Sequence, residues 1–180
     1  MRRIIASAHR SGRCVDVEKK DIRMDLKLEV IVLPVSDVDR ARSFYEAAGF
    51  RMDADHAAND DYRVVQFTPP GSECAIIFGK GVTSAEPGSV RGLYLIVPDI
   101  EKAHAELSGR GVEMSEVFHD AGGIFQHGHG AQGVTHQGGE VERVPGPHPD
   151  RADYGSYATF SDPDGNGWVL QEVRKRAPGR

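Results

Sequence analysis

The stretch Leu33-Pro34-Val35-Ser36-Asp37-Val38-Asp39-Arg40-Ala41 recurs 62 positions later as Leu95-Ile96-Val97-Pro98-Asp99-Ile100-Glu101-Lys102-Ala103. The match continues to Gly49-Phe50-Arg51-Met52 over Gly111-Val112-Glu113-Met114, so apolar, acidic, basic and glycine positions agree in order over some twenty residues. Further on, Phe67-Thr68-Pro69-Pro70-Gly71 lies on Phe160-Ser161-Asp162-Pro163-Asp164-Gly165 at a shift of 93, with one residue extra in the later copy. The change of shift places about 31 additional residues between Met114 and Phe160. The chain is therefore two related modules, the second with a large insertion, and such a duplication decides architecture before any motif does.

Each module reads the same way. Leu28 to Val35 is an apolar run long enough for a strand and too short for a helix. Ser36 opens a helix in a Ser-x-x-Asp arrangement resembling a capping box, and Asp37 and Asp39 suit the positive end of the helix dipole. Val38, Ala41, Phe44, Tyr45 and Ala48 recur at helical spacing, and Gly49 ends the helix. In the second copy the strand is Leu93–Val97, the cap Asp99, the helical face Ile100, Ala103 and Leu107, and the stop Gly111. Three more strands follow each helix: near 51–55, 62–68 and 74–78 in module one, and near 112–119, 155–161 and 167–173 in module two. Pro69-Pro70-Gly71 and Asp162-Pro163-Asp164-Gly165 are the turns between the last two. The unit is β-α-β-β-β, used twice.

That order resembles the vicinal oxygen chelate superfamily of glyoxalase I, extradiol dioxygenases and bleomycin-resistance proteins. The features that carry the likeness are the duplication, the Asp-Pro-Asp-Gly-Asn turn at 162–166 and the Val-Ser-Asp-Val-Asp helix start followed by Ser43-Phe44-Tyr45. The resemblance implies an α+β fold in which two tandem βαβββ modules form a curved, eight-stranded mixed sheet around a cavity, with the helices outside. It covers residues 25–174 as a single domain, module one at 25–81 and module two at 90–174, with a Gly/His-rich insertion near 120–152. It also implies a symmetric homodimer, and closed two-fold dimers are the commonest soluble assembly.

Composition agrees. A chain of 180 residues can bury one sizeable core, and 39% hydrophobic with 27% charged is ordinary for a globular protein. No apolar stretch approaches the roughly 18–20 residues of a membrane span. Cys14 and Cys74 form no disulfide framework, which fits a reducing cytoplasm. Residues 1–24 stand outside the repeat, as a disordered extension or one added by an upstream start codon. They carry a net charge of +4 against −5 for the whole chain, leaving −9 on residues 25–180. So acidic a body argues against non-specific nucleic-acid binding.

Strand alternation assigns faces. Ile31, Leu33, Val35, Val65, Phe67, Cys74, Ile76, Phe78, Leu93, Leu95, Val97, Ala158, Phe160, Trp168 and Leu170 are all apolar and form the face under the helices. The other face mixes groups as ligand cavities do. Its candidate ligand-binding residues are Val30, Val32, Gln66, Tyr94, Tyr157, Thr159 and Gln171, with Phe125 of the inserted loop folding over the cavity mouth. For Val30 and Val32 ordinary packing is the simpler role. For the polar members, convergence on one concave face points to a ligand or ordered water, because buried polar groups need partners.

The resemblance also places four metal-ligand positions, at Val30, Gly92, Val169 and, through the repeat, Ala75. None of the four offers a side-chain donor, and a divalent metal needs several together. No metal and no cofactor is expected there. Glu29 and Glu172 adjoin these positions and read as solvated strand-end residues. Five of the eight histidines fall at 119–148, and His127, His129 and His136 are an alternative metal set within the glycine-rich loop. His119, at a strand end, is the best single candidate for proton transfer.

Three functions fit these residues. The first is a metal-free, glyoxalase/bleomycin-resistance-like protein that binds a small, partly aromatic molecule. The second is a lyase, isomerase or dioxygenase with displaced metal ligands. The third is a structural or regulatory module. Absent donors favour the first over the second, and the polar inner residues favour it over the third.

Overall fold

The computed structural model describes residues 26–121 and 143–176. Module one runs β1 (Val30–Val32), α1 (Val38–Ala47), β2 (Arg51–Asn59), β3 (Tyr62–Thr68) and β4 (Ala75–Lys80). Module two runs β5 (Leu93–Val97), α2 (Ile100–Gly109), β6 (Phe118–Asp120), β7 (Arg143–Pro145), β8 (Ser156–Ser161) and β9 (Gly167–Glu172). The α+β class and the paired modules stand as the repeat implies. The strands form two sheets rather than one, in orders β1-β4-β3-β2 and β5-β9-β8-β6-β7. The first strand of each module pairs parallel with the last, and the other pairs are antiparallel. Strand β7 comes from the inserted segment and extends the second sheet beyond β6. No described helix is long and apolar enough to cross a membrane.

Pairing fixes the correspondence between modules. Ile31 opposes Ile76, and Leu93 opposes Trp168. Val30 and Gly92, each one residue earlier, therefore hold equivalent places. Phe67 opposes Ile76 while Phe160 opposes Trp168, so the β8–β9 hairpin is one residue shorter than β3–β4, not longer. The counterpart of Val169 is thus Ile77 instead of Ala75. The two lie on one face, so the sidedness of the strand is unchanged.

The face assigned to the helices forms the core. Leu33, Val65, Phe67, Ile76, Phe78, Ala158, Phe160, Trp168 and Leu170 are buried in one cluster with Ala41 and Tyr45 of α1 and Ile100 of α2. Cys74 is excluded from it, being half-buried just before β4. Tyr45 joins the modules: its ring lies 5.6 Å from Phe78 of the first and 6.2 Å from Trp168 of the second. Helix α1 ends in a Schellman arrangement, with Gly49 N–H donating to Glu46 O and Phe50 N–H to Tyr45 O. Gly49 takes φ +89, which a side chain would resist.

Two local readings are corrected. The cap of α1 is Asp37, whose carboxylate accepts from Asp39 and Arg40 N–H. Ser36 is drawn away from capping, because its N–H and hydroxyl both donate to Asp164 on the β8–β9 turn. Of the span near 112–119 that reads as a strand, residues 112–117 form none. They follow β8 only through the Met114–Phe160 bridge and Ser115, which exchanges bonds with Thr159. The Ser115 hydroxyl, accepting from Thr159 N–H, replaces a ladder carbonyl and breaks the regular pairing.

The Asp-Pro-Asp-Gly-Asn turn is a clamp. Asp162 is 4% exposed and accepts from Asp164 N–H, Asn166 N–H, Asn166 Nδ2 and the Tyr45 hydroxyl. Asn166, fully buried, also donates to Pro34 O and accepts from Val90 N–H. Gly88 packs on this turn so closely that a Cβ would sit 1.9 Å from Asp164 O. The motif that marks the fold in the sequence therefore fastens module two to the exit of β1.

Candidate functional site

Because alternate residues of each strand enter the core, the intervening ones define an inner face. Module one contributes Val30, Val32, Gln66, Ala75 and Ile77, and module two Tyr94, Ile96, Tyr157, Thr159, Val169 and Gln171. Val32 and Tyr94 are each 37% exposed and Ile96 40%, a share of solvent that core packing would have removed. Tyr157 and Thr159 are buried at 4% and 8% and form the floor beside them. The structure thus brings the inner residues named from sequence onto one side of each sheet.

Their polar atoms are largely satisfied within the protein. The Tyr157 hydroxyl donates to the carbonyl of Tyr154, and Gln171 Nε2 donates to the same oxygen at 3.3 Å. Gln66 and Thr68 hold Asp53 of β2, Thr68 Oγ1 donating at 2.5 Å. The Thr68 hydroxyl, the Arg51 guanidinium and Gln66 keep the Asp53 carboxyl below its ordinary range. Burial pushes the Tyr94 phenol well up, and the neighbouring Tyr157 adds to this. Burial and the Asp120 carboxylate raise the Tyr157 phenol, against a lowering contribution from Gln171. Both phenols are therefore neutral hydroxyls at neutral pH, suited to orient a ligand and unsuited to act as bases.

Three inner-face groups escaped the sequence reading. Phe118 opposes Tyr157, with ring centroids 5.7 Å apart. Asp120 follows it on the same face, as does Arg143, which opposes Asp120 from β7. The unrecognised signal was alternation in Phe118-His119-Asp120. That pattern also turns His119, the candidate for proton transfer, away from the inner face. His119 opposes Ser156, on the side of β8 away from Tyr157. Its Nδ1 lies 2.9 Å from Gly146 O, and its ring stands edge-on to His148 at 5.8 Å. Phe125, His127, His129 and His136 lie outside the described residues.

Glu172, which reads from the sequence as solvated, is fully buried on the helix side of β9. It accepts from Ile100 N–H at the start of α2 and from Arg151 Nη2 at 2.7 Å. The burial follows from a cation 21 residues upstream in the insertion's return.

The positions at which the resemblance places metal ligands carry no side-chain donor atoms. Val30, Val169, Ala75 and Ile77 carry hydrocarbon side chains, and Gly92 carries none. Among the described residues no three His, Cys, Asp or Glu side chains converge to hold an ion. A separate open hollow of about 610 Å³ lies between α1, the turn after α2 and the β8–β9 turn, lined in part by Phe44, Glu113 and Asp162.

The model of the Glyoxalase/Bleomycin resistance protein/Dioxygenase superfamily matches residues 27–124, more than half the chain. The chain belongs to this superfamily. Solved structures agree. TnmS3, an antibiotic binding protein from Streptomyces sp. CB03234, is 27% identical with a TM-score of 0.55, over 84% of this chain and 99% of that one. A glyoxalase/bleomycin resistance protein from the same organism is also 27% identical, with a TM-score of 0.51, over 81% of this chain and 99% of that one. A superfamily member from Sphaerobacter thermophilus DSM 20745 is 26% identical with a TM-score of 0.56, over 83% of this chain and 99% of that one. No curated protein matches the chain.

Proposed function

We propose that this superfamily member binds a small, partly aromatic molecule against the inner face of module two, without a metal at the family positions. The observation that carries this is the aromatic patch itself. Tyr94 and Ile96 stay open to solvent beside the buried Tyr157 and the half-buried Phe118, with Gln171 oriented at its edge. Tyrosine supplies apolar area with a polar tip and loses little conformational freedom on binding. The likeness to an antibiotic binding protein at 27% identity supports binding of a small organic molecule. The hydrocarbon side chains at the family's ligand positions support the metal-free form.

A neutral aromatic dye, N-phenyl-1-naphthylamine, tests the placement. Its fluorescence titration should give an affinity that Tyr94→Ala weakens about fivefold or more, since an aromatic contact is worth roughly 1 kcal/mol. Tyr94→Phe should retain most of it, and added EDTA should change nothing. An affinity indifferent to Tyr94→Ala would move the site off this face.

The same reading takes the protein as a cytoplasmic homodimer. Support comes from the exposed apolar Leu26, Leu28 and Met52, which lie outside that binding face, and from the prevalence of two-fold assembly. Light scattering at micromolar concentration should return twice the chain mass, and a monomer there would end that part of the reading.

A further inference from the structure

The return of the insertion delivers a cation to the aromatic face. Strand β7 opposes β6 as Pro145 to Phe118 and Arg143 to Asp120, while Phe118 opposes Tyr157 on β8. Arg143 therefore shares the face of Phe118 and Tyr157. Its guanidinium carbon stands 4.5 Å from the Phe118 ring centroid, and Phe118 is 5.7 Å from Tyr157. Arg40, Arg51, Arg63, Arg110 and Arg151 each lie within 3.0 Å of a carboxylate. Arg143 has no such partner among the described residues and is exposed. A guanidinium held over a ring keeps N–H donors for an acceptor beside the ring, and it presents them in a fork that matches a carboxylate or sulfonate.

We infer that Arg143 makes this site selective for aromatic molecules that carry an acidic group, the ring lying on the Tyr94–Tyr157–Phe118 patch and the anion at the guanidinium. The inference rests on the binding face proposed above and adds the charge of its ligand. Asp120 opposes Arg143 across the strands, but it is only 9% exposed while the arginine is exposed, so an incoming anion meets the cation first. The surrounding charge makes the cation more telling. Residues 25–180 carry −9, a field that disfavours anions everywhere the surface lacks a local positive group.

Two dyes of nearly one shape separate charge from stacking: 8-anilinonaphthalene-1-sulfonate, which is anionic, and N-phenyl-1-naphthylamine, which lacks the sulfonate. Both are titrated into the full chain, with Arg143→Gln, Arg143→Lys and the remote control Arg110→Gln, which makes the same change in net charge at the C-cap of α2. Arg143→Gln should weaken the sulfonate about three- to fivefold, the upper range of one exposed charge contact, and leave the neutral dye within about 1.5-fold. Arg143→Lys should restore most of the sulfonate's affinity, Arg110→Gln should leave both dyes unchanged, and added salt should weaken only the sulfonate. Unchanged sulfonate binding in Arg143→Gln, or equal losses for both dyes, overturns the inference and leaves the binding face standing. Indifference of both dyes to Tyr94→Ala overturns the binding face and the inference together.

Discussion

Asp162→Ala should lower the free energy of unfolding by about 3–4 kcal/mol, because one buried carboxylate satisfies four donors. Oδ1 accepts from the N–H groups of Asp164 and Asn166, and Oδ2 from Asn166 Nδ2 and the Tyr45 hydroxyl. Truncation strands the Tyr45 hydroxyl beneath α1, where it is fully buried, and loosens Asn166, which holds Pro34 and Val90. The damage should therefore reach both modules and shift one cooperative urea transition rather than split it. Tyr45→Phe keeps the ring among Phe50, Phe78 and Trp168 and should cost only about 1–2 kcal/mol. The double variant should lose less than the two single losses combined, since both remove the same bond. A loss below about 1 kcal/mol for Asp162→Ala would show that the turn closes without its carboxylate.

This clamp also marks the boundary of what the sequence discloses. The turn was legible as a turn because Pro, Asp, Gly and Asn have local backbone preferences. Its partners were not, because Tyr45 and Asp162 are 117 residues apart and Ser36 and Asp164 are 128 apart. Ser36 reads as a helix cap on local grounds, and a distant carboxylate outcompetes that role. The face assignments were legible for the opposite reason. Alternation is local, and the duplication supplied two readings of one pattern, so Leu33 with Leu95 and Phe67 with Phe160 sorted to the core together.

The candidate site divides along the same line. Tyr94, Tyr157 and Gln171 follow from strand register, which the repeat carries. Phe118 and Arg143 do not, because the insertion has no copy in module one, and β7 finds β6 only in three dimensions. Tyr154 is a further case. Its side chain gives no hint that its carbonyl is the acceptor that orients Tyr157 and Gln171, and its φ of +67 is one that non-glycine residues rarely take.

What holds Tyr154 there is the ion pair at the end of β9, the subject of the second large effect. Tyr154 N–H donates to Glu172 O, and the Glu172 carboxylate anchors Arg151, itself at φ +49. Arg151 also reaches Glu101, so one guanidinium ties the insertion's return to α2 and β9. Hydrogen bonding to Glu101 and Glu172 holds its proton more firmly than usual, and it is charged throughout the accessible pH range. Arg151→Met should leave the Glu172 carboxylate buried with its main counter-ion gone. Losing one partner of such a pair costs roughly 3–5 kcal/mol in a closed interior, and the 31% exposure of the Arg151 side chain lowers the expectation to about 2–3 kcal/mol. Glu172→Met added to Arg151→Met removes the stranded charge, so the double variant should recover part of the loss. Recovery should stay incomplete, because the methionine cannot accept the Ile100 N–H that Glu172 caps. The site should register the change as well. With the clamp open, Tyr154 is free to leave its left-handed conformation, and the affinity for N-phenyl-1-naphthylamine should fall although no residue in contact with the dye has changed. Equal stability of Arg151→Met and wild type in urea, or a double variant less stable than the single one, would mean that Glu172 is stabilised by its backbone donor alone and that Arg151 is a surface residue of no structural weight.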